Sequence, residues 1–204
     1  MKQQIIVIHG GEAYSNYNAF LEALKTRPVT LTEEVLIKSW RHNLQNDIGN
    51  GYDVILPSMP NKQNSKYQEW ALWFERYLEI MELKVIFVGH SQGAMFLVRY
   101  FSENKLSCES IKSLHLIAGA YEKNLSKGDD GGDFFAEKDA MATLEKRDFP
   151  LFLYHSKDDF VVPYAQSEFF HSIVPRGTVR SFTDKNHFLI EHFPELIEDI
   201  KDMA

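Results

Sequence analysis

Val85-Ile86-Phe87-Val88-Gly89-His90-Ser91-Gln92-Gly93 is the stretch that decides the fold. Four consecutive apolar residues, three of them β-branched, read as a strand buried on both faces. The residues from 92 to about 102 read as a helix. Between the two stands the pattern Gly-x-Ser-x-Gly. A serine on so sharp a strand-to-helix turn has its hydroxyl lifted above the end of the sheet, and the flanking glycines keep neighbouring backbone from clashing. Five residues are few enough for the pattern to arise by chance. Its place directly after a strand and directly before a helix is what makes it informative, and Ser91 is therefore a candidate nucleophile.

Outward from this point, short β-rich runs alternate with helical patterns. Strands are predicted at 5–9, 53–56, 84–88, 113–117, 151–154 and 179–182. Helices are predicted at 17–25, 32–47, 65–81 and 164–173, and a last one starts at Pro194 with Glu195 in its first turn. Thr30 with Glu33 and Ser65 with Gln68 have capping-box spacing. In the 65–81 segment Tyr67, Trp70, Ala71, Phe74, Tyr77, Leu78 and Met81 recur at helical spacing. That stripe reads as core, because an amphipathic helix must bury it. Such alternation is the signature of an α/β protein: a three-layer αβα sandwich around a mostly parallel sheet of about six strands. Ligands of such sheets bind beyond the carboxyl ends of the strands.

A serine nucleophile needs a base, and the base needs an acid to orient it, each from a loop after a later strand. The loop after 151–154 carries Asp158 and Asp159, followed by Phe160-Val161-Val162-Pro163. Asp159 is the expected acid, and Asp158 the solvent-facing or loop-bracing neighbour. The loop after 179–182 carries His187, the expected base. His192 lies just before Phe193-Pro194 and flanks the final helix instead. His90, inside the serine turn, points away from the nucleophile's side and is read as structural. His9-Gly10-Gly11 ends the first strand, where a backbone amide can approach a developing oxyanion. Gly11 is the expected donor, with Glu12 the close alternative, and the amide of Gln92 is the second donor. Tyr14, Tyr121 and Phe160 are the nearest candidates for the walls of a substrate site. Phe134 and Phe135 are further candidates on a flap.

Length and composition bound the rest. A chain of 204 residues is expected to form one domain, 1–204, with a short flap at 121–147. A net charge of −7 repels phosphate backbones, so no nucleic-acid partner is expected. No apolar stretch approaches a membrane span, and Ile5-Ile6-Val7-Ile8 is too short for a signal-peptide core. The single cysteine, Cys108, excludes an intrachain disulfide and a multi-cysteine zinc site. The expected setting is cytoplasmic. Phosphate-binding glycine patterns are absent, so no nucleotide site is expected. Asp129, Asp130 and Asp133 lack a full Ca²⁺-loop pattern, so they read as a mobile surface loop and no metal is expected.

Taken together, His9-Gly10-Gly11, the turn at Ser91, Asp159-x-x-Val162-Pro163 and Asn186-His187-Phe188 resemble the α/β-hydrolase superfamily across nearly the whole chain. Trp40, Leu56-Pro57-Ser58-Met59-Pro60 and Glu69-Trp70 are similar to its compact serine hydrolases, typified by the retinoblastoma-binding serine hydrolase. The 121–147 segment departs from that group in being longer and more acidic. The resemblance implies a minimal form of the fold that lacks the first two strands, with no lid or a short one. It implies a metal-free, cofactor-free esterase-like reaction on a small ester or related acyl substrate. Two other readings keep the same fold: a catalytically idle binding or scaffold protein, and an acyltransferase with the same triad.

Overall fold

Six strands form one sheet: β1 (Gln3–Ile8), β2 (Tyr52–Ile55), β3 (Val85–His90), β4 (Ile111–Ile117), β5 (Leu151–Ser156) and β6 (Thr178–Phe182). Their order is β2-β1-β3-β4-β5-β6, and every neighbouring pair is parallel. The computed structural model describes residues 2–28, 39–82, 84–103, 106–123 and 130–203. From β1 the chain first steps outward to β2, then returns past β1 to β3 and proceeds to β6. The direction of winding reverses between β1 and β3, and a crevice opens there at the carboxyl ends of the strands.

Side chains alternate across the sheet, as the pleat requires. Ile6, Ile8, Phe87, Leu114, Leu116, Leu151 and Leu153 face one layer of helices: α3 (Tyr67–Leu78), α4 (Gln92–Ser102), α5 (Lys138–Ala142) and α6 (Ala165–Ile173). Ile5, Val7, Ile86, Val88, Phe152 and Tyr154 face the other layer: α2 (Trp40–Ile48) and α7 (Pro194–Asp202). This is the expected three-layer sandwich, with an all-parallel sheet. All six residues of β3 and ten of the eleven in α4 are buried, because that strand and helix lie at the centre of their layers. α1 (Tyr17–Thr26) has no buried residue. Among the described residues no helix is long and apolar enough to cross a membrane.

The predicted stripe on α3 packs as core, with Tyr67, Trp70 and Phe74 buried and Trp70 Nε1 donating to Pro60 O at 2.8 Å. Its predicted cap does not form. Ser65 is fully buried, the helix begins two residues later, and the Tyr67 amide donates to Asp133 Oδ1 at 3.1 Å. A long-range acceptor thus does what the local pair was expected to do. The Thr30–Glu33 pair and the predicted helix start at Thr32 lie outside the described residues, and the helix is described from Trp40 onward.

The acidic segment also differs from expectation. Asp130 accepts from the amides of Ser15 and Gly132, so Asp130 and Asp133 tie this segment to the chain after β1 and to α3. Phe134, Met141 and Leu144 are buried in the α3–α6 layer. Residues 130–147 are therefore built into the core and do not form a flap, while Gly128 and Asp129 lie outside the described residues. Among the described residues no group of three or more His, Cys, Asp or Glu side chains could hold a metal ion.

Candidate active site

Glycines on either side of Ser91 allow β3 and α4 to meet at close range. A Cβ on Gly89 would stand 2.6 Å from the carbonyl oxygen of Gly93, and one on Gly93 would stand 2.2 Å from that of Ile8. No side chain fits either position. Ser91 itself has φ 55° and ψ −120°, a conformation that costs of order 1–3 kcal/mol for a residue with a Cβ. It is held there by its amide donating to Ile117 O at 2.8 Å and by its carbonyl accepting from Ala94 and Met95 at the start of α4.

Asp159 follows β5 and His187 follows β6. Asp159 Oδ1 accepts from the amides of Val161 and Val162 at 2.8 and 2.9 Å. Its other oxygen, Oδ2, meets His187 Nδ1 at 2.8 Å and stands 3.5 Å from His155 Nε2. Burial opposes the carboxylate's charge, but hydrogen bonds from His155, His187 and the Val162 backbone outweigh it and hold the pKa well below the usual carboxylate range. Asp158 is turned elsewhere: its Oδ1 accepts from the Ser156 hydroxyl and from the Asn186 amide, bracing one loop against the other. The backbone on both sides of His187 is left-handed, with φ 49° at Asn186 and 55° at Phe188. The imidazole is thereby presented from a tight turn.

The hydrogen bond through Nδ1 leaves His187 Nε2, on the opposite edge of the ring, facing the cavity that Ser91 also lines. No hydrogen bond joins Ser91 Oγ to His187. The His187 carbonyl accepts from His90 Nε2 at 2.9 Å. Burial, with the nearby charges of His187 and Arg41, pushes the pKa of His90 down to about 3, so its ring is neutral and serves as a strut. His192 is remote from the site and pairs at the surface with Asp47.

The cavity has a volume of about 990 Å³ and opens at the carboxyl edge between β1 and β3. The two predicted glycines after β1 have different surroundings. A Cβ on Gly10 would stand 3.2 Å from Ser91 Cβ, whereas one on Gly11 would point into Lys62 O and Ser65. The Gly10–Gly11 peptide thus borders the serine. Among the described residues no acceptor takes the Gly11 amide or the Gln92 amide, while the alternative donor, Glu12, already donates to Lys62 O at 2.8 Å. His9 fixes this loop: Nδ1 donates to Gly10 O at 2.6 Å and Nε2 accepts from Met59 N at 2.9 Å.

Of the expected wall residues, Tyr14 and Phe160 do line the cavity. Tyr14 is nearly buried, with its hydroxyl donating to Glu12, while Phe160 is 67% exposed at the mouth. Tyr121 is not a wall residue. Its ring packs on Phe170 at 4.5 Å between centroids, inside the α3–α6 layer. Phe134 is likewise core, packed edge-on to Trp70, and Phe135 is packed against the same layer. Sequence patterning missed the charged residues Arg27, Arg41 and Lys62 in the cavity wall, because cations on helices and loops read as solvent-facing.

A profile of the serine hydrolase family matches residues 37–184, a span that holds both Ser91 and Asp159. The chain belongs to the serine hydrolase family. Serine hydrolase RBBP9 of Rattus norvegicus is 25% identical to it over 156 residues, covering 75% of this chain and 78% of the rat protein. Among solved structures, the ydeN gene product of B. subtilis superposes with a TM-score of 0.69 at 16% identity, covering 99% of this chain and 98% of that one. A meta-cleavage product hydrolase of Pseudomonas fluorescens gives 0.63 at 15% identity, covering 98% and 90%. These likenesses place this serine hydrolase in the α/β-hydrolase fold. The family match ends at residue 184, so the His187 turn lies just beyond it.

Proposed function

We propose that this family member is an esterase-like hydrolase that works through an acyl-enzyme on Ser91. The observation that carries the reading is the 2.8 Å contact between Asp159 Oδ2 and His187 Nδ1, beside a cavity lined by both His187 and Ser91. His187 Nε2 takes the Ser91 proton as Oγ attacks the acyl carbonyl. Asp159 fixes the tautomer with Nδ1 protonated and stabilises the imidazolium that forms. The amides of Gly11 and Gln92 bond the oxyanion, each lowering the barrier by about 2.7–4 kcal/mol. Collapse of the tetrahedral intermediate expels the alcohol, which receives its proton from His187. Water then attacks the acyl-serine, giving its proton to the same nitrogen, and the acid leaves as Ser91 is restored. Met95, Phe160 and Val161 in the cavity wall favour a small ester with an apolar portion.

The test is covalent labelling. A fluorophosphonate should add one phosphonyl group to the native protein, displacing fluoride, and none to Ser91→Ala, as read by intact mass. Equal labelling of the two proteins would remove Ser91 from the nucleophile's role.

A further inference from the structure

The cavity carries a charge pattern at odds with the molecule around it. In a chain of net charge −7, its wall holds three cations, Arg27, Arg41 and Lys62, and one carboxylate, Glu12. Glu12 is committed, since its Oε2 accepts from both Arg27 and the Tyr14 hydroxyl. Arg41 is different. Among the described residues nothing forms a hydrogen bond or ion pair with its guanidinium, and its Nε is fully shielded from solvent. Burial pulls the pKa of this group below the ordinary guanidinium value.

Two further costs attach to a cation at this position. A charge withdrawn from water without a counter-charge is unfavourable. Arg41 is also the second residue of α2, at the positive end of the helix dipole, where a carboxylate would be stabilising and a cation is not. Neither cost is offset within the described fold, so Arg41 contributes nothing there that explains its placement. Its location does explain it. The preceding residue, Trp40, packs edge-on to His90 at 6.1 Å between centroids, and His90 immediately precedes Ser91. The charge of Arg41 bears on His90 and also on His9, beside the Gly10–Gly11 loop. The guanidinium therefore stands in the wall shared by the serine turn and the glycine loop, with its fork free for an anion. Lys62, exposed and with no partner for its ammonium among the described residues, lines the same cavity.

Building on the assignment of Ser91 as nucleophile, we propose that Arg41 binds a carboxylate carried by the substrate, so that the preferred substrates are esters bearing a second, free carboxylate. A planar guanidinium holds such a group through two parallel N–H···O bonds, which orients the ester as well as retaining it. Lys62 adds attraction at the rim. A single half-buried guanidinium suits a monoanion.

The test uses two pairs of esters in which a carboxylate is exchanged for a neutral carboxamide of the same shape. Monoethyl succinate against ethyl succinamate places the anion on the acyl side, and meta-acetoxybenzoate against meta-acetoxybenzamide places it on the alcohol side. In one pair the native protein should prefer the anionic ester by about tenfold or more in kcat/KM. Arg41→Gln should bring that ratio to about one, Arg41→Lys should recover part of it, and the exposed Arg76→Gln on α3 should leave it unchanged. The ratio is independent of any general loss of activity or folding in the variant. Binding without turnover gives a second readout: the anionic ester of the preferred pair should bind Ser91→Ala by calorimetry and lose that binding in Ser91→Ala/Arg41→Gln, melting curves confirming that the double variant is folded. If the native protein hydrolyses the neutral esters with no anionic preference in either pair, or if Arg41→Gln leaves the ratio unchanged, the assignment of Arg41 is overturned while the hydrolase reading stands. If none of the four esters is turned over, the hydrolase reading fails for these substrates. Calorimetry with all four esters then decides Arg41 alone: equal binding to Ser91→Ala with and without Arg41→Gln overturns it.

Discussion

Acid should destabilise this protein well above the range in which its carboxylates titrate, because it buries histidines in neutral form. Burial pushes both His90 and His115 down to about 3, and His9 is lowered as well, chiefly by burial. Their partners fix the neutral tautomers. His90 Nε2 donates to the His187 carbonyl. Tyr154 Oη donates to Asp199, so it must accept from His115 Nδ1, and His115 Nε2 then accepts from Ser113. In the unfolded chain each ring takes a proton near the reference value of about 6.5. Between there and about 3 the unfolded state binds more protons than the native one, so stability falls as pH falls, by about 1.4 kcal/mol per pH unit for each histidine. From pH 6 to pH 5 the pair should cost roughly 2.5 kcal/mol, with His9 adding in the same direction. Other shifted groups do not mask this window. His192, raised by Asp47, contributes its stabilisation fully below about 6.5, so its term is flat there. Asp159 and Asp130 are lowered, and their contributions begin to fade only below about 4. Urea unfolding at constant ionic strength, at half-unit steps from pH 6 to 5, gives the slope. The native protein should lose at least 2 kcal/mol over that unit, roughly the two-histidine figure, and His115→Gln should lower the loss over that unit by about 1.2 kcal/mol whatever it does to absolute stability. A native slope below about 0.5 kcal/mol per unit, or an unchanged slope in His115→Gln, would refute the account.

Two further outcomes are expected. Asp159→Asn should reduce kcat on a short activated ester by about 10⁴, because the amide no longer selects the Nδ1-protonated tautomer, while Asp158→Asn should cost less than about tenfold; the reverse ranking in steady-state assays would transfer the acid's role to Asp158. Tyr154→Phe removes the hydroxyl between His115 and Asp199 and should destabilise by about 1–3 kcal/mol in urea titrations while fluorophosphonate labelling persists; a change below about 0.3 kcal/mol would show that the buried chain of hydrogen bonds is not what holds these elements together.

Much of this architecture is legible in the sequence because its signals are local. A buried parallel strand is a continuous apolar run, so β3 and β5 stand out, and Pro194 marks the first residue of α7 because the helix has no use for an amide there. Gly89 and Gly93 report a close approach that only glycine permits. The features that were misread depend on partners distant in the chain. Ser65 and Gln68 have the right spacing for a cap, yet Asp133 supplies the acceptor from 66 residues away. Tyr121 follows a strand end, as a wall residue would, but whether its ring turns to the cavity or to Phe170 is decided by α6. Arg41 has the polar identity expected of a solvent-facing helical position, and only the packing of Trp40 against His90 carries it into the cavity wall.

The geometry of the site rests on the sheet edge more than on any one loop. Where each strand ends, the following residue bonds to the end of the next strand: Ser91 N to Ile117 O at 2.8 Å, Ala118 N to Tyr154 O at 2.9 Å, and Lys157 N to Phe182 O at 2.8 Å. The ladder thus continues past β3, β4 and β5 to the points where Ser91, Asp159 and His187 are presented. β4 supplies none of these three side chains, yet it sets the spacing between the strand that bears the serine and the strand that precedes the acid. Beneath it, on the α7 face, Ser113 and His115 of β4, Tyr154 of β5 and Asp199 of α7 form one buried chain of hydrogen bonds, which the half-exposed Arg180 of β6 closes at the surface. A hydrogen bond has strict distance and angle requirements that apolar packing lacks. A slip of β4 or β6 against β5 would break this chain as well as the edge ladder. The polar residues inside the second layer therefore fix strand register, and register in turn sets the separation of Ser91, Asp159 and His187 above the opposite end of the same strands.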